Sequence, residues 1–369
     1  MSTRTPATSA PRRADRPDLT GTVLASPSGR FAVRVVARNV LVGAVLAGAV
    51  VLAALASLGY GEAGYGLAEV VRVLGGAPGP AGAEFVILTL RLPRVLAAVL
   101  VGLALGVSGA VVQSLTRNPL GSPDVLGFTT GAATGGILHI TLVGGTALAV
   151  AGGAVLGGVT TALTVYLLAH RGGASGARIV LVGIGVAAIL ASVNSYLLIR
   201  AELDDAHRAA VWLTGSLNGR TWDQVAIVAV AAVLLVPVAA ALSRRMSLVE
   251  MGDDTSKGLG VPVEATRRAL LAVAVVLAAT AVAVAGPVAF VALAAPHLAR
   301  LVTRSSGPSV LTAGLVGALL LTGGDLAVRW VFAPVELPVG LATGALGGVY
   351  LTWLLAWRWR REGRRGGRR

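Results

Sequence analysis

Apolar residues come in runs of about twenty along most of this chain, the length a helix needs to cross the hydrocarbon core of a bilayer. The runs lie near residues 38–59, 92–114, 124–141, 147–169, 178–199, 223–243, 267–286, 288–304, 310–332 and 338–357. This pattern predicts an all-α polytopic membrane protein with about ten transmembrane helices. An even number of spans places both ends of the chain on one side. The third run is marginal: it is rich in Gly and Thr and follows a polar turn holding Pro119 and Pro123. Interrupted segments of that kind occur where backbone lines a pathway rather than lipid. Ten spans also allow two five-helix halves of opposite topology, an inference that rests on parity alone because no residue-level repeat is visible.

The polar stretches between the runs differ in sign. An Arg-rich head, the turn with Arg117, residues 170–178, the loop from Arg244 to Arg268, Arg304 and the tail from Arg358 all fall on one face. Positive charge marks that face as cytoplasmic. The opposite loops carry Glu62, Glu69, Glu84, Glu202, Asp204 and Asp205, with Arg72, Arg91, Arg94, Arg200, Arg208, Arg220 and Arg329 as exceptions. The net charge of +14 is therefore accounted for by residues flanking spans and implies no nucleic acid. A composition that is 55% hydrophobic and 13% charged, with 49 glycines, suits helices packed closely in lipid. With no cysteine, disulfides, thiolate metal ligands and a Cys nucleophile are excluded.

Residues 1–35 are rich in Pro, Ser, Thr and Arg without apolar periodicity and read as a flexible basic cytoplasmic tail. Residues 36–358 form the ten-helix domain, and 359–369 a second basic cytoplasmic tail. Ala54-Leu55-Ala56 looks like a signal-peptidase site, but its run is too long and starts too far along the chain, so an uncleaved first span is expected.

Candidate chemistry is sparse. The one lysine, Lys257, lies between Ser256 and Gly258, so the Gly-Lys-[Ser/Thr] of a P-loop is missing and this polypeptide cannot carry that ATP site. Asp325 and Arg300 are the main ionisable residues within spans, positions that default to function; Asp325 also lies one turn before Arg329 and can pair with it. His297 follows Pro296 and reads as a hydrogen-bonding residue at a helix break, because no second His, Cys or carboxylate stands at ligand spacing; no metal site is expected. Arg91 and Arg94, at i and i+3, sit at the first turn of a helix, where the dipole disfavours cations. Carboxylates of a partner are expected to hold them. In the fifth run Ser192, Asn194, Ser195 and Tyr196 offer a weakly polar pathway lining, and Trp212 to Asn218 a short helix or re-entrant segment by the outer mouth. The loop from Ser243 to Arg268 predicts two short helices, Ser247 to Met251 and Asp254 to Lys257, with Asp253 as N-cap after Gly252 and a stop at Gly258 and Gly260. By composition it is equally a coupling knob or an amphipathic interfacial turn.

Several short motifs occur in order: RLPR from Arg91, SGAVVQ from Ser108, RNPLGSPDVLG from Arg117, Gly131-Ala132, WLTGSLNGRTWDQV from Trp212, MGDDTSKGLG from Met251, GPVAFVALAAPHLAR from Gly286 and GGDLAVRWVFAPVELPVG from Gly323. Over residues 38–357 the chain resembles the FecCD-type permeases, membrane subunits of type II ABC importers for iron-siderophores, cobalamin and heme, and WLTGSL stands nearer the siderophore branch. Gln113, Asn118, Pro119, Pro123, Gly127, Pro296, His297, Asp325 and Glu336 are the structural motif positions in this resemblance. Three departures are local: the last span lacks the usual Pro and Phe around Leu346 to Leu351, Ala289 and Ala292 replace commoner glycines, and Asp253 replaces a commoner Glu.

The resemblance implies the type II permease fold and a transport subunit rather than an enzyme. It implies that Arg91, Arg94 and Arg329 meet glutamates on the two lobes of an extracytoplasmic substrate-binding (lipo)protein. It implies a coupling segment at about 246–262 whose Leu248, Gly252, Asp253, Ser256, Leu259 and Gly260 sit in a groove of the ATPase. The implied assembly is a second permease subunit and two ATP-binding subunits that hold ATP-Mg, with no cofactor bound by this chain, in the cytoplasmic membrane of a bacterium. Cobalamin or heme remains an alternative cargo. An ion-coupled secondary transporter would need midplane carboxylates, for which only Asp325 offers itself, and a membrane enzyme would need converging acid, base or metal sets that the spans lack.

Overall fold

A computed structural model describes residues 22–25, 32–61, 64–144, 146–170, 176–305 and 307–366. The first described elements are two short antiparallel strands, β1 (Thr22–Ala25) and β2 (Ala32–Val35), paired Thr22 to Val35 through Ala25 to Ala32. They lie in the stretch expected to be a structureless tail. The signal was present on a small scale, in two β-branched runs flanking the turn-forming types Ser26 to Gly29.

Helices make up the rest: α1 (Ala37–Gly59), α2 (Leu67–Leu74), α3 (Leu92–Thr116), α4 (Phe128–Leu138), α5 (Ala147–Ala169), α6 (Gly176–Arg200), α7 (Leu203–Leu213), α8 (Trp222–Glu250), α9 (Asp253–Gly258), α10 (Val263–Ala285), α11 (Val291–Thr303), α12 (Val310–Val331) and α13 (Val339–Gly366). Wider π-type turns lead into α3 (Phe85–Arg91) and continue α4 (His139–Val143). Among the described residues seven helices are long and apolar enough to cross a membrane, and three shorter apolar ones, Phe128–Val143, Val291–Thr303 and Val339–Thr352, fill the remaining expected spans. The marginal third run is one of the short helices, as its Gly and Thr content foreshadowed. Apart from the β1–β2 pair, the described residues form an all-helical polytopic bundle.

Burial separates centre from periphery. The spans containing α3 and α10 are each 78% buried, whereas those of α1 and α6 are 11% buried and turn Leu181, Ile184 and Ile199 outward. Helix α3 packs against α8, α10, α11 and α12. Glycines on α3 make this possible: a Cβ added at Gly106 would collide with the Ala313 carbonyl of α12, and one at Gly109 with the Ala292 carbonyl of α11. Backbones in lipid approach this closely only through small residues.

Four expected boundaries shift. The residues before α3 already wind helically, so Arg91 and Arg94 are not in a first turn and the dipole argument for them fails. Helix α8 continues without a break through Ser247 to Glu250, so the first of the two expected coupling helices is its end. The short helix expected by the outer mouth is Leu203–Leu213, with Trp212 in its last turn and residues 214–221 as loop. Asp204 and Asp205 in its first turn complement the helix dipole. Finally α13 runs to Gly366, through most of the stretch read as a tail; the sequence from Trp353 to Glu362 is dominated by good helix formers, with no proline to stop it.

Candidate functional site

Helix α3 carries a charged cluster at each end. From Arg94 to Arg117 it rises about 35 Å at helical pitch, roughly the thickness of a bilayer core. At the end with Arg94, this arginine grips Asp325 of α12 with two bonds, Nη2 to Oδ1 at 2.9 Å and Nε to Oδ2 at 3.2 Å. Asp325 also takes Arg329 Nε at 3.2 Å, the pair expected from their one-turn spacing. Arg329 donates in addition to Ser57 Oγ at the end of α1. Arg91 donates to the Leu58 carbonyl at 2.8 Å and lies 5.6 Å from the Tyr65 ring centre, a cation–π distance. Glu336, mostly exposed, stands 3.8 Å from Arg94. Arg94 and Arg329 thus meet carboxylates of the same chain, whereas Arg91 is held by a backbone carbonyl and a ring, and Asp325 is 3% exposed. The carboxylates expected from a partner are in part internal.

At the other end, Arg117 follows α3 in a left-handed conformation with φ 50°. Its Nε donates to the Val249 carbonyl at 3.1 Å and its Nη2 pairs with Asp253 Oδ1. Arg267 of α10, buried at 3% exposure, reaches both Asp253 oxygens at 3.1 and 3.0 Å and Glu264 at 2.9 Å. Burial pushes the Asp253 carboxyl up, but hydrogen bonds and charge from Arg267 and then Arg117 outweigh it and hold the group below its ordinary range. A depressed carboxyl stabilises the folded form above its unfolded pKa, and that contribution is lost as pH falls through the folded value.

This geometry revises the roles expected in the coupling segment. Gly252, at φ 119°, precedes α9, and Asp253 is the first helical residue, an ion-pair partner and not an N-cap. Ser256 is fully buried, with Oγ bonded to the Leu248 and Gly252 carbonyls, so it shapes the turn from within and offers no outward contact. Met251 and Leu259 are the apolar side chains that project, at 65% and 60% exposure, with Gly260 exposed beside them and Leu248 half-buried. Arg117 and Arg267 escaped sequence reasoning as site residues because each also fits the simple role of a charge at a cytoplasmic span end.

Within the bundle, Gln113 joins α3 to α11, donating to the Leu293 carbonyl at 3.0 Å and accepting from Arg300. His297 meets the Tyr350 hydroxyl of α13, the hydrogen-bonding role expected, but α11 runs unbroken through Pro296 and His297, so no helix break lies there. In the turn after α3 the Asn118 side chain accepts from Leu120 N at 2.9 Å, Pro119 and Pro123 delimit the turn, and Gly127 takes φ 79° where α4 begins, tight against Gly183. On α6, Ser192, Ser195 and Tyr196 share an exposed face, whereas Asn194 is buried on the opposite side with its Oδ1 unbonded. The pathway set therefore divides, with Asn194 excluded from the face the others share. A cleft of about 280 Å³ beside α7 is bordered by Trp212, Arg208, Arg220 and Gln224.

A bundle of short and long apolar helices, with a charged cluster at one end of its central helix and a protruding knob pinned at the other, defines a membrane transport permease of the ABC-importer type. The chain belongs to the FecCD transport family, whose model matches residues 38–357. It is 49% identical to the ferric enterobactin transport system permease protein FepG of Escherichia coli over 75% of this chain and 84% of that protein. It is 40% identical to the achromobactin transport system permease protein CbrC of Dickeya dadantii over 78% of this chain and 83% of that one. A solved inward-facing structure of a metal-chelate type ABC transporter superposes with a TM-score of 0.77 at 26% identity, covering 86% of this chain and 99% of its own.

Proposed function

We propose that this chain is the permease subunit through which a ferric siderophore crosses the bacterial cytoplasmic membrane, with ATP hydrolysed on separate subunits. The observation that carries the reading is the 49% identity to a permease for ferric enterobactin, extending through the bundle. The weakly polar face of α6 with Ser192, Ser195 and Tyr196 suits a bulky, already chelated cargo. Uptake of iron-loaded catecholate, hydroxamate and citrate chelates, compared in cells with and without the protein, tests the reading. Catecholate uptake is expected to depend on the chain, and equal uptake in both strains overturns it.

The partners follow from the same reading: a second permease subunit, two ATP-binding subunits and an extracytoplasmic binding protein. Arg91, Arg94 and Arg329 form the docking platform for the last, supported by their excess of positive over negative charge. Electrostatic docking of that kind weakens as salt rises. Leu248, Gly252, Leu259 and Gly260, with Met251, form the knob that meets the ATPase, while Asp253 and Ser256 hold its shape. Both chain ends lie in the cytoplasm, residues 36–358 being the transport domain and the flanking residues basic tails; the arginine-rich loops on the α9 side support this. A single cysteine at Asp204 should react with an impermeant thiol reagent in intact cells, and one at Lys257 should be protected. Labelling of Lys257→Cys from outside reverses the orientation.

A further inference from the structure

We propose that Arg117 is a positioning residue that ties the coupling knob to α3, so that this helix acts as a rigid rod between the outer arginine cluster and the ATPase. The inference rests on the coupling reading of the preceding section and extends it to a residue outside the knob. Helix α3 is suited to the part. It is the most buried span together with α10 and contains no proline after Pro93 near its start. The close approaches at Gly106 and Gly109 leave it little freedom to bend.

Both ends of this rod are held by charge-assisted bonds to other elements. Arg94 is gripped by Asp325 of α12 through two bonds. Arg117 uses two donors of one guanidinium on two acceptors of the knob, the Val249 carbonyl at the end of α8 and the Asp253 carboxylate at the start of α9. That fork fixes direction as well as distance, which a lysine's single point charge would not do. The left-handed backbone of Arg117 turns the chain out of the helix as its side chain spans to α8 and α9. Asp253 is also anchored to α10 by Arg267, so the knob is bolted to both central helices. The two bolts differ in burial. Arg267 is 3% exposed and belongs to the core, while Arg117 is 42% exposed and can be removed without opening the interior. A displacement of α3 at the outer face therefore moves Asp253 and, with it, Met251 and Leu259.

The test uses the complete complex of permease and ATPase subunits in lipid nanodiscs with its iron-loaded binding protein. Arg117→Asn is the main variant, because Asn accepts the left-handed conformation and carries neither the charge nor the reach. The variant complex is expected to retain its ATPase subunits and a basal hydrolysis rate within about twofold of wild type. Stimulation by the binding protein and transport should each fall about tenfold, the scale of one charge-assisted hydrogen bond. Arg117→Lys should recover part of both. Asp253→Asn combined with Arg117→Asn should be no worse than Asp253→Asn alone, since that substitution already removes the carboxylate that Arg117 shares with Arg267. Full stimulation in Arg117→Asn overturns the proposal, as does an equal fall in basal and stimulated rates or loss of the ATPase subunits. The coupling reading has its own control: Leu259→Cys in an otherwise wild-type complex should cross-link to the ATPase. Failure of that cross-link removes the coupling reading, whereas cross-linking together with a fully stimulated Arg117→Asn removes only the rod.

Discussion

Asp325→Ala should destabilise the protein by about 3–5 kcal/mol, the usual consequence of removing one partner from a buried ion pair. Asp325 is 3% exposed, and Arg94 and Arg329 are each 11% exposed, so neither guanidinium can recover its hydration. Without the carboxylate the two cations repel one another across the junction of α3 and α12. The expected readout is a lower thermal unfolding midpoint in detergent together with loss of uptake. Glu336→Gln gives the contrast: this carboxylate is 63% exposed and 3.8 Å from Arg94, and such a pair contributes less than about 1 kcal/mol. An Asp325→Ala protein that melts with wild type would mean that the arginines are held by something other than the cluster.

Gly109→Ala is the second large effect, and the addition is a single methyl group. The new Cβ would overlap the Ala292 carbonyl of α11, and the neighbour that must yield is backbone. Overpacking a tight interior costs about 1–3 kcal/mol, and a rigid neighbour puts this site at the upper end. The variant should be recovered in reduced amount and should lose its monodisperse profile in size-exclusion chromatography. Gly185→Ala on α6, where an added Cβ meets nothing within 4 Å, should behave as wild type. Equal recovery of the two variants would show that α3 and α11 separate more easily than their geometry implies.

These two sites also separate what was legible along the chain from what was not. The pairing of Asp325 with Arg329 was readable because helical spacing makes i and i+4 neighbours. Arg94 as the third member was not, since it lies 231 positions away from Asp325 and meets it only when α3 packs on α12. The same holds for Arg117, Asp253 and Arg267, which come from three elements. Asp253 read from its neighbours alone as an N-cap, a local role, because the competing long-range ion pairs leave no mark in local sequence. Ser256 and Asn194 are buried for a related reason: polarity says which residues can contact a partner, but the face a helix turns inward is set by what packs on it.

The sequence by itself determined the membrane and the approximate number and positions of the apolar helices, and it set arginine beside their ends. Each depends on a property that sums along a local window: hydrophobic length against bilayer thickness, and arginine content beside it. The motif order in residues 38–357 was likewise enough for the family. Only the tertiary structure decided which helices are central, why α3 needs its glycines, and which carboxylate answers which arginine. Those outcomes depend on contacts between residues far apart in the chain. In a bilayer, where apolar side chains are as well solvated by lipid as by one another, close backbone approach and buried ion pairs choose the neighbours.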